Sequence, residues 1–114
     1  MRKITFAAAA MLLASPAFAA DAPGDAARGK QLFVDQGCYT CHGFVGQGGP
    51  GLRLAPDPLP AEAIAAYIRN PAGEMPPISA KLLPDQGVRD IQAYLASVKK
   101  PPKLADIPLL KAGE

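Results

Sequence analysis

The stretch Cys38-Tyr39-Thr40-Cys41-His42 gathers both cysteines and the only histidine of this 114-residue chain into five positions. Few residue clusters restrict a fold more, because each use of two thiols and an imidazole demands different surroundings. A structural zinc wants four N or S ligands. The chain offers three, and two of them, Cys41 and His42, are neighbours that close a tetrahedron awkwardly. A Cys-x-x-Cys dithiol of the thioredoxin kind follows a strand inside a βαβ pattern, and no convincing strand precedes Cys38. A plain structural disulfide leaves His42 without a purpose.

The remaining use takes every residue of the cluster. Cys-x-x-Cys-His is the spacing of haem c attachment, in which two thiols one helical turn apart reach the vinyl groups at the porphyrin edge and the adjacent imidazole reaches the iron. Cys38 and Cys41 are then the thioether positions and His42 the proximal ligand of a single haem. A closed six-coordinate iron needs a sixth ligand, and without a second histidine that ligand is a methionine. Met1 and Met11 fall in an N-terminal leader, which leaves Met75 in the segment PAGEMPP. Pro76 and Pro77 exclude a helix-core role for this methionine and stiffen the backbone that carries it.

Composition asks for such a group. The chain has no tryptophan, 13 prolines and 11 glycines, and only Phe33 and Phe44 among its phenylalanines lie beyond the leader. That is little apolar surface to offset the ordering entropy of a small domain. A flat, largely apolar haem supplies a core that side chains alone do not.

The leader itself has the form of an export signal. Arg2 and Lys3 precede an apolar run from Ile4 to Leu13, and Ala17-Phe18-Ala19 gives the small-x-small pattern of a cleavage site after Ala19. The run is shorter than the ~20 residues that span a bilayer, and the mature chain has no transmembrane candidate. Periplasmic localisation follows. Loss of Arg2 and Lys3 brings acids and bases into balance, and no basic stripe with interleaved aromatics remains, so nucleic acid is not an expected partner. The chain divides into a signal peptide at 1–19, a single domain at 20–100 and a Pro-containing tail at 101–114, where Lys99, Lys100, Lys103 and Lys111 crowd together.

Helical signals are three. The first follows Asp25, a good N-cap, sets Gly29, Leu32, Phe33 and Gln36 on one face, and stops at Gly37. A second starts at Pro60, carries Ile64, Tyr67 and Ile68, and stops at Asn70-Pro71. The third starts near Pro84 or Asp85 and repeats Val88, Ile91, Leu95 and Val98 before Pro101-Pro102. Between the first two, FVGQGGPGLRLAPDPLP has too many breakers for a helix and no alternation for a strand, and so wraps as a loop. The tail shows no helical period.

In this order, CYTCH, GGPGL (Gly48 to Leu52), YIRNP (Tyr67 to Pro71), MPP (Met75 to Pro77) and a last helix with DIQAYL resemble the class I c-type cytochromes over nearly the whole mature chain. The resemblance implies an all-α fold, with three main helices and Gly/Pro-rich loops wrapped around one covalently attached haem. It implies that the first and last helices cross where Gly29 and Phe33 meet Tyr94 and Leu95. It also implies that the Pro50 carbonyl accepts the His42 imidazole N–H and that Leu52 packs on the porphyrin. Where many members carry a tryptophan this chain has none, and Tyr67 takes over packing or a propionate hydrogen bond.

Two function classes remain. In the first, His42 and Met75 occupy both axial positions, and the chain is a non-enzymatic carrier of single electrons. It serves as a soluble shuttle or as the cytochrome subunit of a dehydrogenase or oxidase system, between a donor dehydrogenase and an acceptor oxidase or reductase. In the second, Met75 is displaceable and the protein senses a gas or acts as a peroxidase-like enzyme. That class wants a distal His or Arg, and Arg53 and Arg69 are the candidates, each more simply read as a propionate partner or surface charge.

Overall fold

Asp25 begins the first helix as its position implies, its carboxylate accepting from the backbone N–H groups of Ala27 and Arg28 at 2.9 and 3.0 Å. Two donors that a helix start leaves orphaned are thereby satisfied. The computed structural model describes residues 22–111, so the expected leader at 1–19 lies outside the described residues. Helix α1 spans Ala26–Asp35. It closes where Gly37, at φ 73°, lets its own N–H reach the Val34 carbonyl at 2.9 Å and that of Cys38 reach the Phe33 carbonyl at 3.1 Å. This paired closure is a Schellman turn, and it delivers the chain directly into the single-turn helix α2, Tyr39–His42.

Helix α3 spans Ala61–Arg69 with Pro60 as the capping residue just before it, and α4 spans Asp85–Ser97 behind Pro84. Among the described residues there is no strand, and the all-α expectation holds. The tail differs from expectation. Leu104–Asp106 forms a 3-10 turn and Pro108–Lys111 a one-turn helix α5, held by i→i+3 bonds from Ile107 to Leu104 at 3.2 Å and from Leu110 to Ile107 at 3.0 Å. Such short turns need no apolar period.

Helix α4 is the centre of the packing. Its Gly87, Val88, Asp90, Ile91, Tyr94 and Leu95 are buried, and α1 and α3 both pack against it. Phe33, Ala55, Ile68 and Leu83 complete the core. The expected crossing of α1 and α4 is present in part as foreseen: the rings of Phe33 and Tyr94 meet at 5.7 Å, tilted by 58°. Gly29, however, lies against the backbone of Asp90 rather than Tyr94 or Leu95, so close that a Cβ would collide with the Asp90 carbonyl. That approach is open only to glycine.

The close crossing buries Asp90 completely, a residue whose importance the periodicity does not reveal. Its carboxylate accepts from the Asp25 N–H at 2.8 Å, from Arg28 Nε at 2.6 Å and from Gln86 Nε2 at 3.1 Å. Burial pushes the Asp90 carboxyl upward. The Asp25 N–H, the Gln86 amide and the Arg28 guanidinium outweigh it and hold the group below the ordinary carboxylate range.

Candidate haem site

The side chain of His42 is fixed by one bond. Its Nδ1 lies 2.7 Å from the Leu52 carbonyl oxygen, and since a carbonyl can only accept, Nδ1 carries the hydrogen. Nε2 is left with its lone pair available to a metal. The family pattern assigns this carbonyl to Pro50; in the structure it belongs to Leu52, and Pro50 is exposed. The path of the loop is the reason. Gly48 N–H donates to the His42 carbonyl at 2.8 Å, Gly51 N–H to the Cys41 carbonyl at 2.8 Å, and Gly49 N–H to the Gly51 carbonyl at 3.0 Å. Residues 48–51 are thus folded back on the end of α2, and the next carbonyl clear of that fold is Leu52's. A Cβ on Gly51 would stand 3.0 Å from His42 Cε1 and 3.1 Å from Nδ1, tighter than ordinary packing. The glycine therefore keeps the ring's berth open.

The rest of this loop is fastened to the core. The Gly46 carbonyl accepts from Leu54 and Ala55 at 2.8 and 2.9 Å, and the Tyr94 hydroxyl donates to the Phe44 carbonyl at 3.0 Å. Phe44 in turn stacks on Tyr39, ring centroids 5.0 Å apart. Both thiols are unpaired, Cys38 half-buried and Cys41 exposed. Burial raises the Cys38 thiol above its ordinary value, against a smaller lowering by its backbone hydrogen bond.

Met75 is half-buried and packs against the same core cluster as Cys38 and Tyr39. Its loop is tied at several points. Ile78 N–H donates to the Ile68 carbonyl at 2.8 Å, and the Tyr67 hydroxyl donates to the Ala72 carbonyl at 3.3 Å. The Tyr67 hydroxyl is thus turned toward the Met75 loop. Arg69 is the stronger tie: Nη1 donates to the Ile78 carbonyl at 2.9 Å, and Nη2 to the Leu83 carbonyl at 2.7 Å and to Asp85 at 2.8 Å. It is therefore neither a plain surface charge nor poised as a distal group. Sequence carried one clue to this role, since Arg69 follows the buried Ile68 at the very end of α3 and cannot point wholly away from the core.

The structure thus joins His42 to Leu52, sets Cys38 and Cys41 at the two ends of one turn, and packs Met75 on the core that Cys38 also touches. Leu52 and Tyr67 are uncovered, at 67% and 45% exposure, as are Phe44 and Leu59. Among the described residues no three His, Cys, Asp or Glu side chains gather into an ion site, and no helix is long and apolar enough to cross a membrane. The donor set fits haem c on chemical grounds: an imidazole with Nδ1 committed and Nε2 free, two free thiols at the attachment spacing, and a thioether on a stiff loop.

Comparison with known proteins gives the same direction. Residues 24–95 match the family model described as cytochrome C oxidase, cbb3-type, subunit III. A cytochrome c-555 of Methylococcus capsulatus is 30% identical over 97 residues, covering 80% of this chain and 79% of that protein. The cytochrome bc1 complex cytochrome c subunit of Corynebacterium diphtheriae is 36% identical over 84 residues, covering 70% of this chain. The matched region spans 30% of that subunit's length. No solved structure matches significantly.

Proposed function

This chain belongs to the cytochrome c family and is an electron carrier working through haem, and we propose that it holds one haem c through thioethers at Cys38 and Cys41, with His42 and Met75 as axial ligands. The bond from His42 Nδ1 to the Leu52 carbonyl is the observation that carries this reading. It orients the ring and commits Nδ1 to the carbonyl, so that Nε2 is the nitrogen turned to a metal. When bound, the haem supplies an iron that changes oxidation state by one electron. The chain's own residues do the rest. Cys38 and Cys41 would anchor the group, His42 would supply one iron ligand, and Met75, which its tied loop packs against the core, would supply the other and favour the reduced state. Closing both sides leaves no coordination position for oxygen or peroxide. The uncovered Leu52 and Tyr67, whose carbonyl and hydroxyl reach His42 and the Met75 loop, would offer a porphyrin apolar surface to cover, worth roughly 25 cal/mol per Å² removed from water.

Export by the leader at 1–19, a haem domain at 20–100 and an appended tail at 101–114 belong to the same proposal, with action in the periplasm between a donor and an acceptor. The bc1 relative is named as a subunit of a redox complex, which supports a partner of that kind. A visible spectrum is the test. Reduced protein should show sharp low-spin c-type bands, and oxidised protein a weak far-red band from sulfur to iron that Met75→Ala removes while lowering the potential. Denatured protein should keep one haem's mass. Free thiols in the coloured protein, or a far-red band that survives Met75→Ala, would refute the ligand set.

A further inference from the structure

Arg69 ends α3, and its guanidinium spans the Met75 loop from the helix before it to the helix after it. Nη1 holds the Ile78 carbonyl at 2.9 Å, while Nη2 holds the Leu83 carbonyl at 2.7 Å and the Asp85 carboxylate in the first turn of α4 at 2.8 Å. Three residues on the far side of Met75 are thereby bound to one side chain on the near side. The other ties on the loop are fewer: one backbone bond, Ile78 N–H to the Ile68 carbonyl at 2.8 Å, a long Tyr67-to-Ala72 contact at 3.3 Å, and Leu82 and Leu83 N–H groups turning back to Ser79.

We propose that Arg69, braced by Asp85, is a latch that sets how readily Met75 leaves the iron, which makes it a positioning residue for the sixth ligand. The inference rests on Met75 ligation as proposed above. Its physical basis is the length of chain free to swing. With Ile78 held from both Arg69 and Ile68, Met75 rides on a short segment between anchors. Without the guanidinium, Ile78 is held only by its N–H bond to the Ile68 carbonyl; whenever that one bond opens, the anchored end recedes toward Leu83, whose side chain is fully buried, and Met75 gains the freedom of the intervening residues. Arginine suits the task because its planar fork serves two carbonyls and a carboxylate together, and it stays charged at every working pH. A lysine can replace the charge but not the fork. Asp85 is the minor partner: its side chain is 69% exposed against 24% for Arg69, so water screens its share.

A ligand that competes with Met75 binds only when the loop is open, and its apparent affinity rises in proportion to the open population. Imidazole titration of the ferric holoprotein, followed by loss of the far-red band, therefore reads the latch. Losing charged-donor bonds that are partly solvent-exposed should open the loop about tenfold more often in Arg69→Gln and tighten imidazole binding by the same factor. Arg69→Lys should fall between, at about threefold, and Asp85→Asn should give about twofold. In a Met75→Ala background, where the far-red band is gone and imidazole binding is followed by the shift of the main haem absorption band instead, nothing is left to release, and Arg69→Gln should change imidazole affinity by less than about twofold. A purely structural arginine would lower the melting temperature without this pattern. If the wild type has no far-red band, or keeps it in Met75→Ala, the ligand reading fails and the latch falls with it. If the band behaves as expected but imidazole binds Arg69→Gln as it binds wild type, the ligand reading stands and the latch is overturned. Should Arg69→Gln prove too unstable to purify, Arg69→Lys decides, and an unchanged affinity there has the same force.

Discussion

Removing the buried carboxylate of Asp90 should cost this small domain a large share of its stability. Asp90→Ala takes away the acceptor for the Asp25 N–H, for Arg28 and for Gln86 at once. The three losses are unequal. The part-buried Asp25 N–H is left without its partner, at about 1–3 kcal/mol. Arg28, 57% exposed, returns to water and loses at most about 1 kcal/mol. Gln86 Nε2 still donates to the Pro23 carbonyl, at 3.3 Å, and its loss is smaller still. A void the size of a carboxylate adds about 1 kcal/mol. The total expected is about 3 kcal/mol, against a stability of about 5–15 kcal/mol for a domain of this kind. Asp90→Asn keeps the shape and one acceptor oxygen and should cost about 1 kcal/mol.

The pH dependence sharpens this prediction. Because the folded Asp90 carboxyl is held below its unfolded value of about 3.9, its ionisation contributes stability that is fully present above that value. The contribution is lost as pH falls through the folded pKa. The gap between wild type and Asp90→Asn should therefore stay level from about pH 7 to about pH 5 and shrink below about pH 4, where protonated aspartate resembles asparagine. Guanidinium unfolding of the holoprotein by far-ultraviolet circular dichroism, with m compared between variants, measures it. A gap as wide at about pH 2.5 as at neutrality, or an Asp90→Ala cost under about 1 kcal/mol, would refute the account of Asp90 as an ionised clasp.

Gly29→Ala sets two effects against each other: helix propensity alone gains about 1 kcal/mol, but the new Cβ collides with the Asp90 carbonyl, a backbone atom that cannot rotate away. The net result should be a loss of about 2 kcal/mol or more in thermal unfolding, and a stabilised variant would show that the crossing is looser than described. Ending the chain after Lys100 should leave the visible spectrum unaltered and move stability by no more than about 0.5 kcal/mol, because Leu104, Leu109 and Leu110 are exposed and an ion pair at this junction, Lys100 to Asp57 at 3.0 Å, joins two exposed side chains. A loss of colour or a large fall in melting temperature would place the tail inside the haem domain.

Where sequence and structure agree, the determinants are local. Asp25 and Gly37 bracket α1 because a cap and a left-handed turn are properties of single residues, and Pro60, Asn70, Pro84 and Pro101 punctuate the other helices for the same reason. The cluster at Cys38, Cys41 and His42 is legible because one turn of helix fixes its geometry. Legibility fails where a result depends on how a loop travels. GGPGL locates the carbonyl facing His42 to within two residues, but the folding back of Gly48–Gly51 on α2 decides that it is Leu52's. Arg69 and Asp90 were hidden differently. A charged residue in a sequence reads as solvent-facing, and only the crossing of α1 on α4, or the end of α3 beside Leu83, turns these two inward. A clue to Asp90 existed in Gly29, since a glycine inside a helix signals a close approach by another element, and the turn of α4 that makes it carries Asp90.

These polar anchors share one helix. From α4, Asp85 braces Arg69 and through it the Met75 loop, Asp90 clasps the start of α1, and Tyr94 holds the Phe44 carbonyl of the loop that orients His42. Residues 85, 90 and 94 sit at successive levels of the helix, so the two sides of the candidate site are referenced to a single rigid rod rather than to each other. For a one-electron carrier this has a direct consequence. An electron transfer is slowed by whatever must move when the charge changes, and ligands whose supporting loops are tied to the same helix have little freedom to move independently. The two sides are not tied equally. His42 is held through several short backbone bonds around Gly48 and Gly51 and the tyrosine above them, whereas the Met75 loop is tied at Ile78 by one backbone bond and by the Arg69 side chain. If His42 and Met75 are the ligands as proposed, displacement should therefore begin at Met75, and a variant of α4 that loosens Tyr94 should disturb the His42 side while leaving the Arg69 bonds in place.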